Sequence, residues 1–253
     1  MLVTISPAKK LNTTPIETPE VTQPRLMSHT EELLTVVKAY GPADLKALMK
    51  ISDALAQLNV DRFSHFGTQG KKQAAYIFDG DTYTGLDADT LSQDAVRWAQ
   101  DHLRILSGLY GVLRPLDEIE PYRLEMGSRV ASERGTNLYA FWKGHIAPLL
   151  AQDAAQAQTD TLVNCASEEY FGAVDQAALG LTIITPKFYD IKNGTPKIVS
   201  FWAKKARGAM ARYIVEHRLT NPKDLIDFDT GGYAYDRDLS TPTAPAFVRN
   251  PDS

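Results

Sequence analysis

Residues 103–127 read LRILSGLYGVLRPLDEIEPYRLEMG. Arg104, Arg114, Arg123, Tyr110, Tyr122, four acids, three glycines and two prolines stand between short apolar pieces. A helix needed only for packing repeats its apolar residues about every 3.6 positions and keeps Gly and Pro out. This run does neither, so it is irregular chain that places backbone and charged groups at a site on a rigid scaffold. Leu106–Gly111 has the form of a tight hairpin able to offer N–H groups to an anion. Arg114-Pro115 cannot continue a helix smoothly, because Pro disfavours the helical region at the residue before it. Tyr122-Arg123-Leu124-Glu125 alternates as a strand does, with Tyr122 and Leu124 on one face and Arg123 and Glu125 on the other. Arg123 and Glu125 are either a structural ion pair or a clamp and an acid/base group in a pocket.

Working outward, Leu2 to Ile5 reads as a short buried strand, and residues 12–25, rich in Thr and Pro, as an irregular surface segment. Ser28 to Phe66 is helical in pattern and is broken at Gly41-Pro42. Leu45, Leu48, Ile51, Leu55 and Leu58 follow at spacings of three and four. Ala74 to Phe78 is a strand candidate. Thr90-Leu91-Ser92-Gln93 has capping-box form and opens a helix expected to run through Leu106. A helix is expected over Leu138–Gln156, a strand over Thr161–Cys165, and a helix start at Ser167-Glu168-Glu169. Leu181 to Trp202 reads as a hairpin turned at Asn193-Gly194, both of which tolerate positive φ. A helix from Ala203 to Arg218 follows, then an acidic, turn-rich tail from Asn221 with a late strand at Phe247–Arg249.

These elements predict one mixed α/β (α+β) domain over residues 1–253, with a mixed sheet, a hairpin and surrounding helices. They lack a steady βαβ alternation, so a doubly wound sheet is not expected. The chain has 253 residues and a net charge of -4, so any anion site must be a local patch. The single cysteine, Cys165, forbids an intrachain disulfide and suits a reducing compartment. The apolar run at Leu2–Ile5 is too short for a signal peptide, and no run of about 18 apolar residues exists to span a bilayer. A cytoplasmic protein without membrane partners is expected, its oligomeric state open.

Four further constellations bear on chemistry. Ser6-Pro7-Ala8-Lys9-Lys10 directly follows a strand, where side chains often line a cleft. A lysine there binds phosphate or, if desolvated, acts as a base. In the helix after Ala203, residues Lys204, Lys205, Gly208 and Arg212 share one side with Arg207 at its boundary, and Gly208 lets a backbone or a phosphate approach closely. Asp44 to Ala56, DLKALMKISDALA, follows the spacing of helix-hairpin-helix modules over residues 43–58. Met49, Lys50 and Ser52 stand where such modules carry Pro and two Gly; losing both glycines weakens the match, and the Lys50 charge is a partial substitute for the lost phosphate-binding hairpin. Asn164 to Tyr170, NCASEEY, places Ser167 at a strand-to-helix junction as an N-cap or a nucleophile. His29, His65, His102, His145 and His217 never approach one another at ligand spacing, so no metal and no cofactor is expected. Dinucleotide and P-loop patterns are absent.

Seven segments together resemble the YaaA family of bacterial peroxide-stress-resistance proteins. They are ISPAKKL, LMKISDALAQLNVDRF, GDTYTGL, HLRILSGLYGVLRPLDEIEPYRLEMG, LYAFW, LVNCASEEYF and KIVSFWAKKARGAMARYIVEHRL, in family order along nearly the whole chain. The resemblance implies a fold unlike common superfolds, a positively charged cleft, a helix-hairpin-helix-like element and binding of duplex or branched DNA. It also implies a role in limiting peroxide damage to DNA and lowering free intracellular iron. No enzymatic activity attaches firmly to the family. One reading is therefore a DNA-binding protein whose contacts are Lys9, Lys10, Lys50, Ser52, Arg62, Lys204, Lys205, Arg207 and Arg212. The other is an enzyme, hydrolase- or lyase-like, acting on a nucleotide, nucleobase or other small anion. Its pocket would gather Ser6, Lys9, Arg104, Arg123, Glu125, Asn164, Ser167 and Lys204. Burial of Glu125 beside a cavity distinguishes the two.

Overall fold

The structure, a computed structural model, describes residues 1–16 and 20–250. The stretch 103–127 divides where its Gly and Pro residues dictate. Leu103–Ser107 is a fully buried strand, and Gly111–Leu113 pairs with it antiparallel, Ser107 opposite Gly111. This is the expected tight hairpin, closed by Gly111 at φ +70. It does not face an anion. The Tyr110 N–H donates to Ser107 Oγ at 2.9 Å, the Trp142 indole donates to the Gly108 carbonyl at 3.0 Å, and Leu109 and Tyr110 are buried. The turn thus belongs to the core. Residues 122–125 form no strand, yet the alternation holds: Tyr122 and Leu124 are buried, while Arg123 and Glu125 are half-buried.

Leu2–Ile5 lies at the centre of a five-stranded sheet, parallel to Leu103–Ser107 on one side and to Thr161–Asn164 on the other. Thr182–Ile184 extends it in parallel, and Gly111–Leu113 is the antiparallel edge. Four parallel strands exceed what the irregular element order suggested. Their partners come from distant parts of the chain, so no regular alternation announces them. Full burial of the three inner strands matches a parallel sheet covered on both faces.

A second sheet has the order Thr195–Lys197, Lys187–Lys192, Ala244–Arg249, Tyr233–Thr241. Its hairpin turns at Asn193 (φ 52) and Gly194 (φ 72), as expected of a type I′ turn. The hairpin is shorter than Leu181–Trp202, because Thr182–Ile184 joins the central sheet and Ser200 already opens the helix Ser200–Glu216. The late strand runs over Ala244–Arg249, and Tyr233–Thr241 beside it is a strand where a turn-rich tail was expected.

The helical region holds Met27–Val37, Pro42–Met49 and Asp53–Ser64. Ala74–Ile77 is a helical turn rather than the expected strand, followed by Phe78–Asp79 paired with Lys10–Leu11. Four apolar residues cannot by pattern alone be told from a strand. The cap of the next helix, Gln93–His102, is Ser92, whose Oγ accepts from the Ala95 N–H; Thr90 bonds Asp87 instead. That helix ends at His102, since Leu103 begins the sheet strand. The expected helix Leu138–Gln156 is two, Leu138–Trp142 and Ile146–Gln156, parted at Gly144 with φ +81.

The closest helix contact sets one wall of a cleft. Asp81–Leu86 packs on Ser200–Glu216 so tightly that a Cβ on Gly208 would lie 1.8 Å from the Thr82 carbonyl oxygen. A Cβ on Gly85 would lie 2.0 Å from the Lys205 carbonyl oxygen. Gly208 therefore admits a backbone, not a phosphate. A continuous hydrophobic core runs from Met1 to Phe247.

Candidate functional site

Parallel strands put their carboxyl ends side by side, the usual place for ligands in such sheets. Leu2–Ile5 ends at Ser6, and Thr161–Asn164 leads through Cys165 to Ser167. The Ser167 N–H donates to Ser6 Oγ at 2.8 Å, and Ser6 Oγ donates to Ser167 Oγ at 3.2 Å. Ser167 Oγ accepts from the Tyr170 N–H at 3.4 Å and caps Glu168–Phe171. The sequence allowed Ser167 as cap or nucleophile, and the geometry is that of a cap. Asn164 Oδ1 likewise accepts from the Ala166 N–H at 2.9 Å and serves the strand end rather than the cleft.

Beside this junction opens a cleft of about 620 Å³. One wall is residues 6–10, a second is Asp79–Thr82, a third is Cys165–Tyr170, and Lys204 and Arg207 close it from the helix Ser200–Glu216. The purely basic lining that the resemblance implied needs correction. Lys9, Lys10, Lys204 and Arg207 face the cleft together with Asp79, Asp81, Glu168 and Glu169. Lys10 pairs with Asp79 at 2.6 Å and Lys9 with Glu125 at 2.9 Å. Lys204 and Arg207 make no ion pair or side-chain hydrogen bond among the described residues.

Glu125 is largely buried, its side chain 17% exposed, and its Oε1 accepts from both Lys9 and Arg123 at 2.9 Å. It stands behind Lys9 and is not among the residues facing the cleft. Arg123 Nε is buried without a hydrogen-bond partner among the described residues. Cys165 lies buried on the cleft floor, where desolvation pushes its thiol up to about 12 against the pull of Arg207. At neutral pH it is therefore a protonated, inert thiol.

Other expected site residues are elsewhere. Arg104 is buried against Asp153 at 2.5 Å and donates to the carbonyls of Gln100 and Asp101, so it is not part of the pocket. Burial alone would raise the Asp153 carboxyl, but hydrogen bonds from Arg25 and Arg104 hold it below its ordinary value. Arg212 donates to the carbonyls of Leu86 and Asp87 and to Glu216, closing the end of Asp81–Leu86 rather than facing a ligand. Lys205 is half-buried where its own backbone meets Gly85. Lys50 and Ser52 form the turn between Pro42–Met49 and Asp53–Ser64. Lys50 is left-handed (φ 52, ψ 50), and Ser52 Oγ accepts from the Leu55 N–H at 3.4 Å. Arg62 lines a separate shallow groove with Thr13 and His65.

Two features escaped the sequence reading. Asp81 and Thr82 face the cleft from GDTYTGL, where Gly80-Asp81 between a strand and a helix was the available signal. His29 and His145, distant in sequence, lie 4.2 Å apart between ring centroids and both accept from Arg134, which also pairs with Glu32. No sequence spacing could show this. Among the described residues no group of three or more His, Cys, Asp or Glu could hold a metal ion, and no helix is long and apolar enough to cross a membrane.

Comparison with known proteins agrees with the resemblance. A UPF0246 protein of Jannaschia sp. (strain CCS1) is 54% identical over 99% of this chain and 97% of its own. UPF0246 proteins of Ruegeria pomeroyi and Roseobacter denitrificans are 54% and 53% identical, each covering 98% of both chains. A family profile described as peroxide stress protein YaaA matches residues 1–239, a span that includes every wall of the cleft. The chain belongs to the peroxide stress protein YaaA family.

Proposed function

We propose that this protein acts in the peroxide stress response, in the cytoplasm, by binding DNA through its sugar-phosphate backbone without reading sequence. Limiting peroxide damage to DNA, with the lowering of free intracellular iron that the resemblance implies, is the outcome of that binding. The observation that carries the reading is the pair Lys204 and Arg207, two cations in a cleft that pair with no carboxylate among the described residues. A cation left unpaired in a net-acidic protein is available to a phosphate, and Arg offers a bidentate fork for it. The helix pair Pro42–Met49 and Asp53–Ser64 supports the reading as a helix-hairpin-helix-like element. Its turn has the left-handed residue such hairpins need, here Lys50, beside a helix N-terminus. The enzyme reading depended on Glu125 in the pocket. With Oε1 engaged by Lys9 and Arg123 behind the cleft wall, Glu125 favours a binding protein.

The test is charge reversal, Lys204→Glu with Arg207→Glu, in fluorescence anisotropy against duplex and branched DNA at low salt. Binding is expected to fall at least tenfold on every sequence, with circular dichroism unchanged. A double variant that binds as tightly as the parent would refute the reading.

A further inference from the structure

The cleft carries unpaired charge of both signs, which a continuous phosphodiester track does not explain. Among the described residues the Lys204 and Arg207 side chains have no ion pair or hydrogen bond, and neither do the half-buried Asp81, on the helix packed against theirs, and the exposed Glu168, on the Cys165–Tyr170 wall. The remaining charges are engaged: Lys10 by Asp79, Lys9 by Glu125, and Glu169 Oε1 by the Gly127 N–H at 2.9 Å. A duplex laid along the cleft would bring further phosphates against the free carboxylates, at a repulsive cost. A volume of about 620 Å³ instead falls within the range of about 300–1,000 Å³ typical of small-ligand sites.

Resting on the DNA-binding reading, we propose that the cleft receives one terminal phosphomonoester carried on a nucleoside. Its phosphate sits between Lys204 and Arg207, three residues apart on one helix and so neighbours on its surface. The hydroxyl and amino donors of the nucleoside are accepted by Asp81 and Glu168. A monoester carries close to two charges at neutral pH, against one for an internal phosphodiester, which favours it at a paired Lys and Arg. The same chemistry is presented by a 5′-phosphorylated DNA end and by a free nucleoside monophosphate.

Two measurements separate the sources and test the site. Isothermal titration compares adenosine monophosphate with adenosine and with inorganic phosphate. Anisotropy compares one duplex carrying a 5′-phosphate with the same duplex carrying a 5′-hydroxyl. If the source is DNA, the phosphorylated end binds at least tenfold tighter. If the ends are equal while the monophosphate binds at least tenfold tighter than adenosine, the ligand is the free nucleotide. In either case Arg207→Gln lowers the preferred affinity at least tenfold, whereas Asp81→Asn lowers nucleotide affinity and spares inorganic phosphate. Equal binding of phosphorylated and unphosphorylated probes in both measurements overturns the proposal. If DNA binding without end preference is then still lost on charge reversal at Lys204 and Arg207, the backbone-binding reading stands. Monophosphate binding with no DNA binding removes that reading and leaves the site.

Discussion

Lys50 holds a left-handed backbone, φ 52 and ψ 50, at the turn between two helices. A side chain there costs about 1–2 kcal/mol, since Cβ crowds the following carbonyl. Lys50→Gly removes that crowding at some cost in chain entropy, and is expected to raise stability by about 0.5–1 kcal/mol in urea unfolding. If the turn holds phosphate with help from the Lys50 charge, the same variant binds DNA more weakly, so stability and affinity move in opposite directions. A second residue-scale expectation follows from Arg134. A guanidinium always donates, so His145 Nε2 at 2.6 Å and His29 Nδ1 at 3.1 Å both accept from Arg134. The His145 imidazole is accordingly lowered, by desolvation first and then by His29 and Arg134, against the opposing pull of Glu32. The unfolded chain therefore takes up its proton first. Stability is complete above about 6.5, the ordinary histidine value, and is lost as pH falls below it through the lowered folded value. Urea midpoints measured from pH 7.5 to 5 should decline, and His145→Gln should flatten the decline.

Among the elements, the crossing of Asp81–Leu86 and Ser200–Glu216 is the least tolerant. Each helix gives a glycine to the other's backbone, and Gly208 lets Arg207 stand at the cleft beside Thr82. Gly208→Ala must push the helices apart, and overpacking of this kind costs about 1–3 kcal/mol or more. The expected result is a lower urea midpoint together with weaker DNA binding, whereas Gly194→Ala, with nothing within 4 Å of its Cβ position, pays only for its positive φ. The same crossing shows what the sequence could and could not disclose. Leu2–Ile5, the Asn193-Gly194 turn and the Ser167 cap were legible because a few adjacent residues decide each. Ala74–Ile77 was not, being too short for a period to develop. Tyr233–Thr241 was not, because its side chains are mostly polar and exposed and lack the alternation that marks a half-buried strand. Gly208 was correctly read as a site of close approach, but its partner is a helix 120 or more positions upstream. Cleft residues Ser6, Lys9, Ser167, Lys204 and Arg207 were found because they follow strands or lie on one helix side. Arg104 was misplaced for the converse reason: its fate depends on Asp153, 49 residues away.

At the scale of the whole molecule, the net charge of -4 makes the distribution of cations decisive. Eight basic residues were expected to touch DNA. Lys9, Lys10 and Arg212 are engaged by Glu125, Asp79 and Glu216. Lys50, Arg62, Lys204, Lys205 and Arg207 have no ion pair among the described residues. They do not lie on one short path, since Lys50 and Arg62 stand near opposite ends of Asp53–Ser64, a helix of about 18 Å. Each phosphate neutralised releases counterions and steepens the salt dependence, with a slope of about -0.9 per contact on duplex DNA. Eight contacts would give a slope of log K against log salt near about -7. Contacts by the unpaired cations alone bound it at about -4.5, and Lys204 with Arg207 alone give about -2. Anisotropy titrations between 50 and 200 mM salt, in the range where such slopes are read, should therefore return a value between about -2 and -4.5. Charge reversal at Lys204 and Arg207 should flatten it by about 2. A slope near -7 would mean that DNA displaces Glu125 and Asp79 from their lysines, and the cleft would then have to open on binding.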